Sequence, residues 1–411
     1  MPPDESDIEA DILADADEQI SLMEPLLLSD LSKNRDGLLD LALELTAKSA
    51  GFCRSLPPTL LSSLASLVRS MNCYYSNLIE GHDTHPVDIE RAMKNDYSQD
   101  RKKRDLQIEA KAHIDVQSWI DQGSLQDRRA FTAEGVCEVH RRFCEALPED
   151  LLWVEEPSTK ERVRLVPGEL RRRGVRVGRH IAVSPGALPR FLSRFQQVYT
   201  RLGKTESIIA NAAAHHRLLW IHPFLDANGR VARLMSHAVF LELLDTGSIW
   251  SVARGLARNV QRYKVLLANC DLPRRNDLDG RGTLSEEALA EFTRFFLEIC
   301  IDQVAFMESL MQPDRLRARI LQWAETETRI GALPAKAASL LEAVLYRGEL
   351  PRGDVDSVLG IGARQARRIA SSLLDREVLT SESPRAPLRV AFPAALTSTW
   401  MPGLFPEPEK S

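Results

Sequence analysis

His222-Pro223-Phe224-Leu225-Asp226-Ala227-Asn228-Gly229-Arg230-Val231-Ala232-Arg233 places a histidine, a carboxylate, a small-residue turn and two arginines within twelve consecutive positions, between stretches patterned as helix. Asn228 and Gly229 come where a loop turns into a helix, whose first amides have no internal partners. Those N–H groups and the helix dipole form an anion cradle. Gly229 has no Cβ to block the approach of a phosphate. Arg230 and Arg233 stand three apart, share a helix face and can both reach a polyphosphate. Asp226 lies just ahead of the cradle, where a carboxylate can hold Mg²⁺ that also bridges phosphate oxygens. His222 can take a proton from an incoming hydroxyl at neutral pH. Phe224 reads as a core anchor for the loop. These residue types in this order point to transfer of part of a nucleotide.

Working outward, apolar residues recur at three- and four-residue spacing from Leu60 to Leu78, after Pro57-Pro58 and before Gly81, which predicts an amphipathic helix. A helix is expected after Pro86. Further helices are expected over 105–120, 132–147, 188–202, 206–220, 229–244 and 285–310. The fold class is mainly α. One interruption lies at 168–185, where Val175 and Val177, then Ile181 and Val183, alternate with other residues around Gly178-Arg179-His180. That pattern predicts a β-hairpin. Asp277-Leu278-Asp279-Gly280-Arg281-Gly282 has the start of a calcium loop. The fifth and twelfth positions from Asp277 are Arg281 and Ala288, so the run reads as a turn capped by Ser285. Beyond Pro313, helices over 337–345, 352–359 and 363–374 precede two short extended pieces, 378–380 and 388–390. Helix, turn, helix and hairpin is the order of a winged helix.

Length and composition bound the rest. A chain of 411 residues predicts two or three domains. The partition expected is an acidic mobile arm (1–20), a helical region (21–100), a core carrying the central motif (101–312) and a winged-helix domain (313–411). A formal net charge of −5 makes no general case for nucleic acid. Six scattered cysteines without a C-x-x-C pair suggest neither a disulfide framework nor a thiolate zinc site. With no export signal and no apolar window of about 18 residues, a cytoplasmic protein that does not enter a membrane is expected. His215 and His216 read as helix-packing residues, since no H-E-x-x-H accompanies them. Arg171-Arg172-Arg173 reads as a solvated run, with an acidic target segment as the alternative.

The central run resembles the Fic (filamentation induced by cAMP) family motif H-x-F-x-[DE]-G-N-G-R-x-x-R, with Ala227 standing where the motif has its first glycine. Ala212-Ala213-Ala214-His215-His216-Arg217-Leu218-Leu219-Trp220 is similar to the family's preceding helix. The hairpin is similar to its flap, which holds a target segment by strand pairing. Asp279-Gly280-Arg281-Gly282 and Phe295-Phe296-Leu297 also fall where related bacterial members carry similar residues. The resemblance implies transfer of AMP from ATP to a Ser, Thr or Tyr hydroxyl of another protein. It implies His222 as base, Asp226 as Mg²⁺ ligand, Asn228, Gly229 and Arg230 as phosphate cradle, and Arg233 as partner of the γ-phosphate. ATP, Mg²⁺ and a target protein bound at the flap (Val175, Val177, Ile181, Val183) are the implied ligands. Doc toxins share the alanine but have lysine at the position of Gly229 and act as kinases; the glycine here favours AMP transfer.

Ser76-Asn77-Leu78-Ile79-Glu80-Gly81 matches the family's inhibitory pattern [ST]-x-x-x-E-[GN], placed ahead of the core in the same chain. A Glu80 carboxylate against Arg233 would occupy the cation meant for the γ-phosphate, and a desolvated Arg–Glu pair is costly to break. In some members the equivalent glutamate orients a water that removes AMP, so the direction of the reaction stays open. Homodimers are frequent in the family. Arg364, Arg367 and Arg368 on the last expected helix suit DNA, while Asp354, Asp356, Asp375 and Glu377 offset them. A DNA-binding regulator with a nucleotide-sensing core, and a protein-docking wing, are the alternatives.

Overall fold

Proline, glycine and apolar period set most helix boundaries of this chain. The structure, a computed structural model, describes residues 14–155 and 160–406. It is mainly helical. The first part comprises α1 (Arg35–Arg54), α2 (Pro58–Ile79), α3 (Pro86–Met93), α4 (Arg101–Asp121) and α5 (Ala133–Glu145). Two antiparallel hairpins follow, β1 (Trp153–Glu155) with β2 (Arg162–Arg164) and β3 (Arg176–Val177) with β4 (His180–Ile181). The helices α6 (Leu188–Tyr199), α7 (Lys204–Ile221), α8 (Asn228–Leu243), α9 (Val252–Arg258), α10 (Val260–Asn269) and α11 (Glu286–Met311) complete this portion.

Pro58 occupies the first turn of α2, where its missing N–H costs nothing. Gly81, at φ +87°, closes the other end as the N–H of His82 donates to the Asn77 carbonyl at 2.9 Å. That six-to-one closure is a Schellman cap, which needs the left-handed conformation glycine tolerates. The alanine-rich α7 packs along α8, and α11 packs on α7 and α1. Residues of α7 are buried almost all round, which places its C-terminal end, and the loop that follows, deep in the fold.

Several expectations need correction. Within the acidic stretch, residues 1–13 lie outside the described residues, but 14–20 is docked rather than loose: Asp15 pairs with Arg190, and Glu18 accepts bonds from Ser184 N (2.7 Å) and Oγ (2.6 Å). The arginines of α6 draw this acidic run onto the body. The flap hairpin is two residues per strand, in the register Arg176↔Ile181 and Val177↔His180. Val177 and Ile181 are exposed, whereas Val183 has turned into the core, so the four apolar residues do not share one face. The 171–173 run is not all solvated: Arg171 is 2 % exposed.

Beyond α11 come α12 (Pro313–Arg329), α13 (Ala337–Arg347), β5 (Glu349–Leu350), α14 (Val355–Leu359), α15 (Ala363–Asp375), β6 (Leu379–Thr380), β7 (Leu388–Val390) and the short α16 (Thr397–Trp400). β7 lies between β5 and β6, antiparallel to both. Leu340, Leu341, Val344 and Leu373 fill the space between helices and sheet. The chain then returns to α2. Tyr75 donates its hydroxyl to the Leu404 carbonyl at 2.9 Å, and Phe405 meets Tyr74 edge-on at 5.4 Å. No helix among the described residues is long and apolar enough to cross a membrane.

Candidate active site

The loop between α7 and α8 is clipped by its own residues. Asn228 accepts from the Phe224 N–H (3.0 Å) and donates to the Phe224 carbonyl (2.8 Å), closing the loop at the first residue of α8. Phe224 is fully buried and stacks on His140 with ring centroids 3.8 Å apart. The side chain of Asn228 is thus a structural clip, and what it offers an anion is its backbone N–H. Ala227 sits at φ +65°, in the left-handed region where a side chain is strained and glycine is at ease. Its N–H donates to Asp226 Oδ1 at 2.6 Å.

His222 ends α7, also with positive φ (51°). Its Nδ1 lies 3.2 Å from the Leu219 carbonyl, which only accepts, so the proton is on Nδ1 and Nε2 carries the free lone pair. Burial is the main cause that pushes this imidazole down to about 4; the neighbouring Arg171 and His180 push the same way. The ring is therefore neutral at physiological pH, the state a base requires. Arg171 braces the loop by donating from Nε to the His222 carbonyl at 2.8 Å, while its backbone N–H bonds to Pro223 O at 2.9 Å. His180 of β4 bonds to the Trp220 carbonyl at 2.7 Å, tying the flap to the end of α7.

Glu80 occupies the cradle. Its Oε1 is 2.5 Å from Arg233 Nη2, and Arg233 also donates to Ser76 Oγ (2.9 Å) and Ser76 O (3.1 Å). A Cβ on Gly229 would overlap the Glu80 carboxylate, so the glycine makes room for this oxygen at the start of α8. Burial opposes the charge on Glu80, but Arg233 beside it prevails and holds the carboxyl below its usual range. Arg230, 6 % exposed, ion-pairs with Glu109 of α4, and its Nη2 lies 3.4 Å from Asp226 Oδ2.

Asp226 suits a hard divalent cation. Its side chain is 57 % exposed beside the cradle, with one oxygen taken by Ala227 N–H and the other only loosely by Arg230. One carboxylate together with substrate phosphates is a usual Mg²⁺ donor set.

The structure thus brings His222, Asp226, Gly229, Arg230, Arg233, Ser76 and Glu80 together, with Gly81 shaping the end of α2. Val183 packs in the core and Val175 is half-buried, leaving Val177 and Ile181 on the outside of the hairpin. His215 bonds Ser236 and Tyr263, and His216 bonds Asp271, all within the core. Arg171, His180, His140, Glu109 and His82 were not legible as site residues. Each reaches the site by tertiary contact, and no local pattern marks it.

Residues 130–240 match the sequence pattern of the Fic/DOC family. The protein adenylyltransferase Fic of Drosophila ananassae is 31 % identical over 120 residues, covering 29 % of this chain and 21 % of that protein. Its counterpart in Drosophila erecta is 27 % identical over 170 residues, covering 41 % and 31 %. The matched stretches therefore span about a fifth to a third of those relatives. A Fic family protein from Desulfovibrio desulfuricans superposes with a TM-score of 0.49 at 16 % identity, over 89 % of this chain and 98 % of that one. Fic-1 from C. elegans (residues 134–508) gives 0.45 at 15 %, over 75 % and 74 %. With the family pattern running from the start of α5 through the whole catalytic loop and most of α8, the chain carries a Fic/DOC family domain.

Proposed function

We propose that the protein is an autoinhibited protein adenylyltransferase that moves AMP from ATP to a hydroxyl side chain of a target protein. The observation that carries this reading is the Glu80 carboxylate lying over Gly229 and on Arg233, at the N-terminus of α8. A helix start with two buried arginines is a polyphosphate site, and here a carboxylate stands in it.

With Glu80 withdrawn, Arg233 is free for the γ-phosphate and the first amides of α8 for the phosphates beside it. His222 Nε2 takes the proton of the target hydroxyl as its oxygen attacks the α-phosphorus. The bond from that phosphorus to the bridging oxygen of the β-phosphate breaks, and pyrophosphate leaves onto Arg230 and Arg233. Mg²⁺ on Asp226 would neutralise charge on the phosphates. The exposed Val177 and Ile181 flank the site and suit a target segment added along the flap, where pairing reads mainly backbone.

Ala227 does not turn the reaction into phosphoryl transfer on this reading. It holds the left-handed turn that a glycine would hold, and Gly229 keeps the cradle open. After α12, the helices α13, α14 and α15 and the three-stranded sheet are read as a winged helix that supports α2. DNA is the other partner considered for it, because Arg364, Arg367 and Arg368 are exposed on α15.

The test is labelling with ATP carrying label at the α- or the γ-phosphate. Glu80→Gly protein is expected to incorporate α-label into itself or a target, and Glu80→Gly/His222→Ala protein none. Equal labelling of wild type and Glu80→Gly would sink autoinhibition, and γ-label on protein would make the enzyme a kinase.

A further inference from the structure

Each of the two site arginines is held by a glutamate, and the two glutamates are built differently. Glu80 stands at the C-terminal end of α2 with 34 % of its side chain exposed. Glu109 stands in the middle of α4, 5 % exposed, ion-paired through Oε1 with Arg230 Nη1. Its other oxygen lies 2.9 Å from His82 Nδ1. The second arm of Arg230 reaches toward Asp226 at 3.4 Å, and its guanidinium lies 4.9 Å from the centre of the Phe143 ring. A guanidinium so enclosed needs a counter-charge: Glu109 and Asp226 pair with it, and Glu80 acts on it through space.

We propose that Glu109 is a positioning residue for the phosphate site, whose hold on one arm of Arg230 keeps the other arm from closing onto Asp226. The inference rests on the reading of the site as one for a magnesium nucleotide. Without the Glu109 charge, Asp226 is the nearest remaining carboxylate, and Coulomb attraction in a partly buried site draws Arg230 onto it. Asp226 then spends on a guanidinium the lone pairs a cation needs. His82 is the strut: its ring fixes the Glu109 carboxylate, and its backbone N–H closes the end of α2. The same contact therefore ties the end of the inhibitory helix to the cradle. Glu109 is not a second brake. A mid-helix residue of α4, buried against Arg230 of α8, is held by the helix on both sides, whereas a residue at a helix end is held on one.

The test uses full-length Glu80→Gly protein as parent and adds Glu109→Gln, which keeps shape and removes charge. Calorimetric titration with ADP, with and without Mg²⁺, reads binding without turnover. The parent is expected to bind ADP more tightly with Mg²⁺. Glu109→Gln should lose about tenfold of that gain, as replaced outer partners of metal ligands do, with Mg²⁺-free affinity changed less than about twofold. The Mg²⁺ concentration for half-maximal α-label transfer should rise by a similar factor. His82→Leu, which keeps the backbone N–H that closes α2, should move both readouts the same way by a smaller factor, and carries the test alone if Glu109→Gln does not fold. An unchanged Mg²⁺-dependent gain in both variants overturns the proposal. So does increased labelling in Glu109→Gln protein that retains Glu80, which would make Glu109 a brake. If the parent transfers no label, the transferase reading falls, while the calorimetric comparison still decides the role of Glu109.

Discussion

The loop that begins at His222 and the helix α2 that ends beside Glu80 meet at Arg233, yet they are held in opposite ways. The loop is closed by a clip between residues four apart in sequence, Phe224 and Asn228, and rests on a helix that leads directly into it. The helix α2 is anchored by Tyr75 to a carbonyl 329 residues away, and by the rings of Tyr74 and Phe405. The clip fixes the turn from within, and Arg171 and His140 brace it from elsewhere in the core. A helix whose outer face is covered by the C-terminal return can be loosened from there, and with it Glu80.

The sharpest break of this comparison is on the loop side. In a Glu80→Gly background, His222→Ala should lower the initial rate of α-label transfer by roughly a thousandfold, the scale of a lost general base, with melting temperature little changed. The same assay tests the imidazole. Since it is held down to about 4, its base form is already complete well above that value. The rate should be flat from pH 8 to about 5 and fall as pH drops through about 4. A midpoint near the ordinary histidine value would mean that the ring is not buried during turnover. On the helix side, Glu80→Gly alone should raise self-labelling roughly a hundredfold, because a desolvated Arg–carboxylate pair is removed from the nucleotide's path.

Smaller effects separate the two anchors. Phe405→Ala leaves every loop residue in place and removes the aromatic contact worth about 1 kcal/mol that covers α2. Basal labelling by protein that retains Glu80 should rise about threefold, and protease cleavage near Gly81 should quicken. No change in either would show that α2 is held by its packing on α4 and α9 alone. Ala227→Gly should change the rate less than about twofold and raise stability by about 1 kcal/mol, the usual relief of a left-handed non-glycine residue, read by thermal unfolding. Label moving from the α- to the γ-phosphate dependence on that substitution would overturn the structural account of Ala227.

The sequence was most legible where function is local. His222, Asp226, Gly229, Arg230 and Arg233 share one loop and the start of one helix, so sequence proximity alone keeps them close together. Helices with clear starts and stops, such as α2 and α8, were legible within a few residues. α1 was not, because Gly37 weakens its first turn and its buried stripe includes Ala42 and Ser49 beside the leucines. The short α9 and α10 were not, because a run of seven to ten residues shows barely two periods. Arg171 lies in a basic run that reads as surface and is instead buried to brace His222, which only its backbone acceptors reveal.

By itself, then, the sequence determined which chemical groups the loop carries and the presence of Ser76 and Glu80 four residues apart, because both depend on neighbours within a turn or two of helix. Tertiary structure decided where that glutamate goes. Packing of α2 places Glu80 over Gly229, packing of α4 places Glu109 on Arg230, and the return of the chain at Leu404 and Phe405 anchors the helix that carries Glu80. Charges separated by more than a hundred residues interact only where close packing forces them together, and no spacing along the chain encodes that distance.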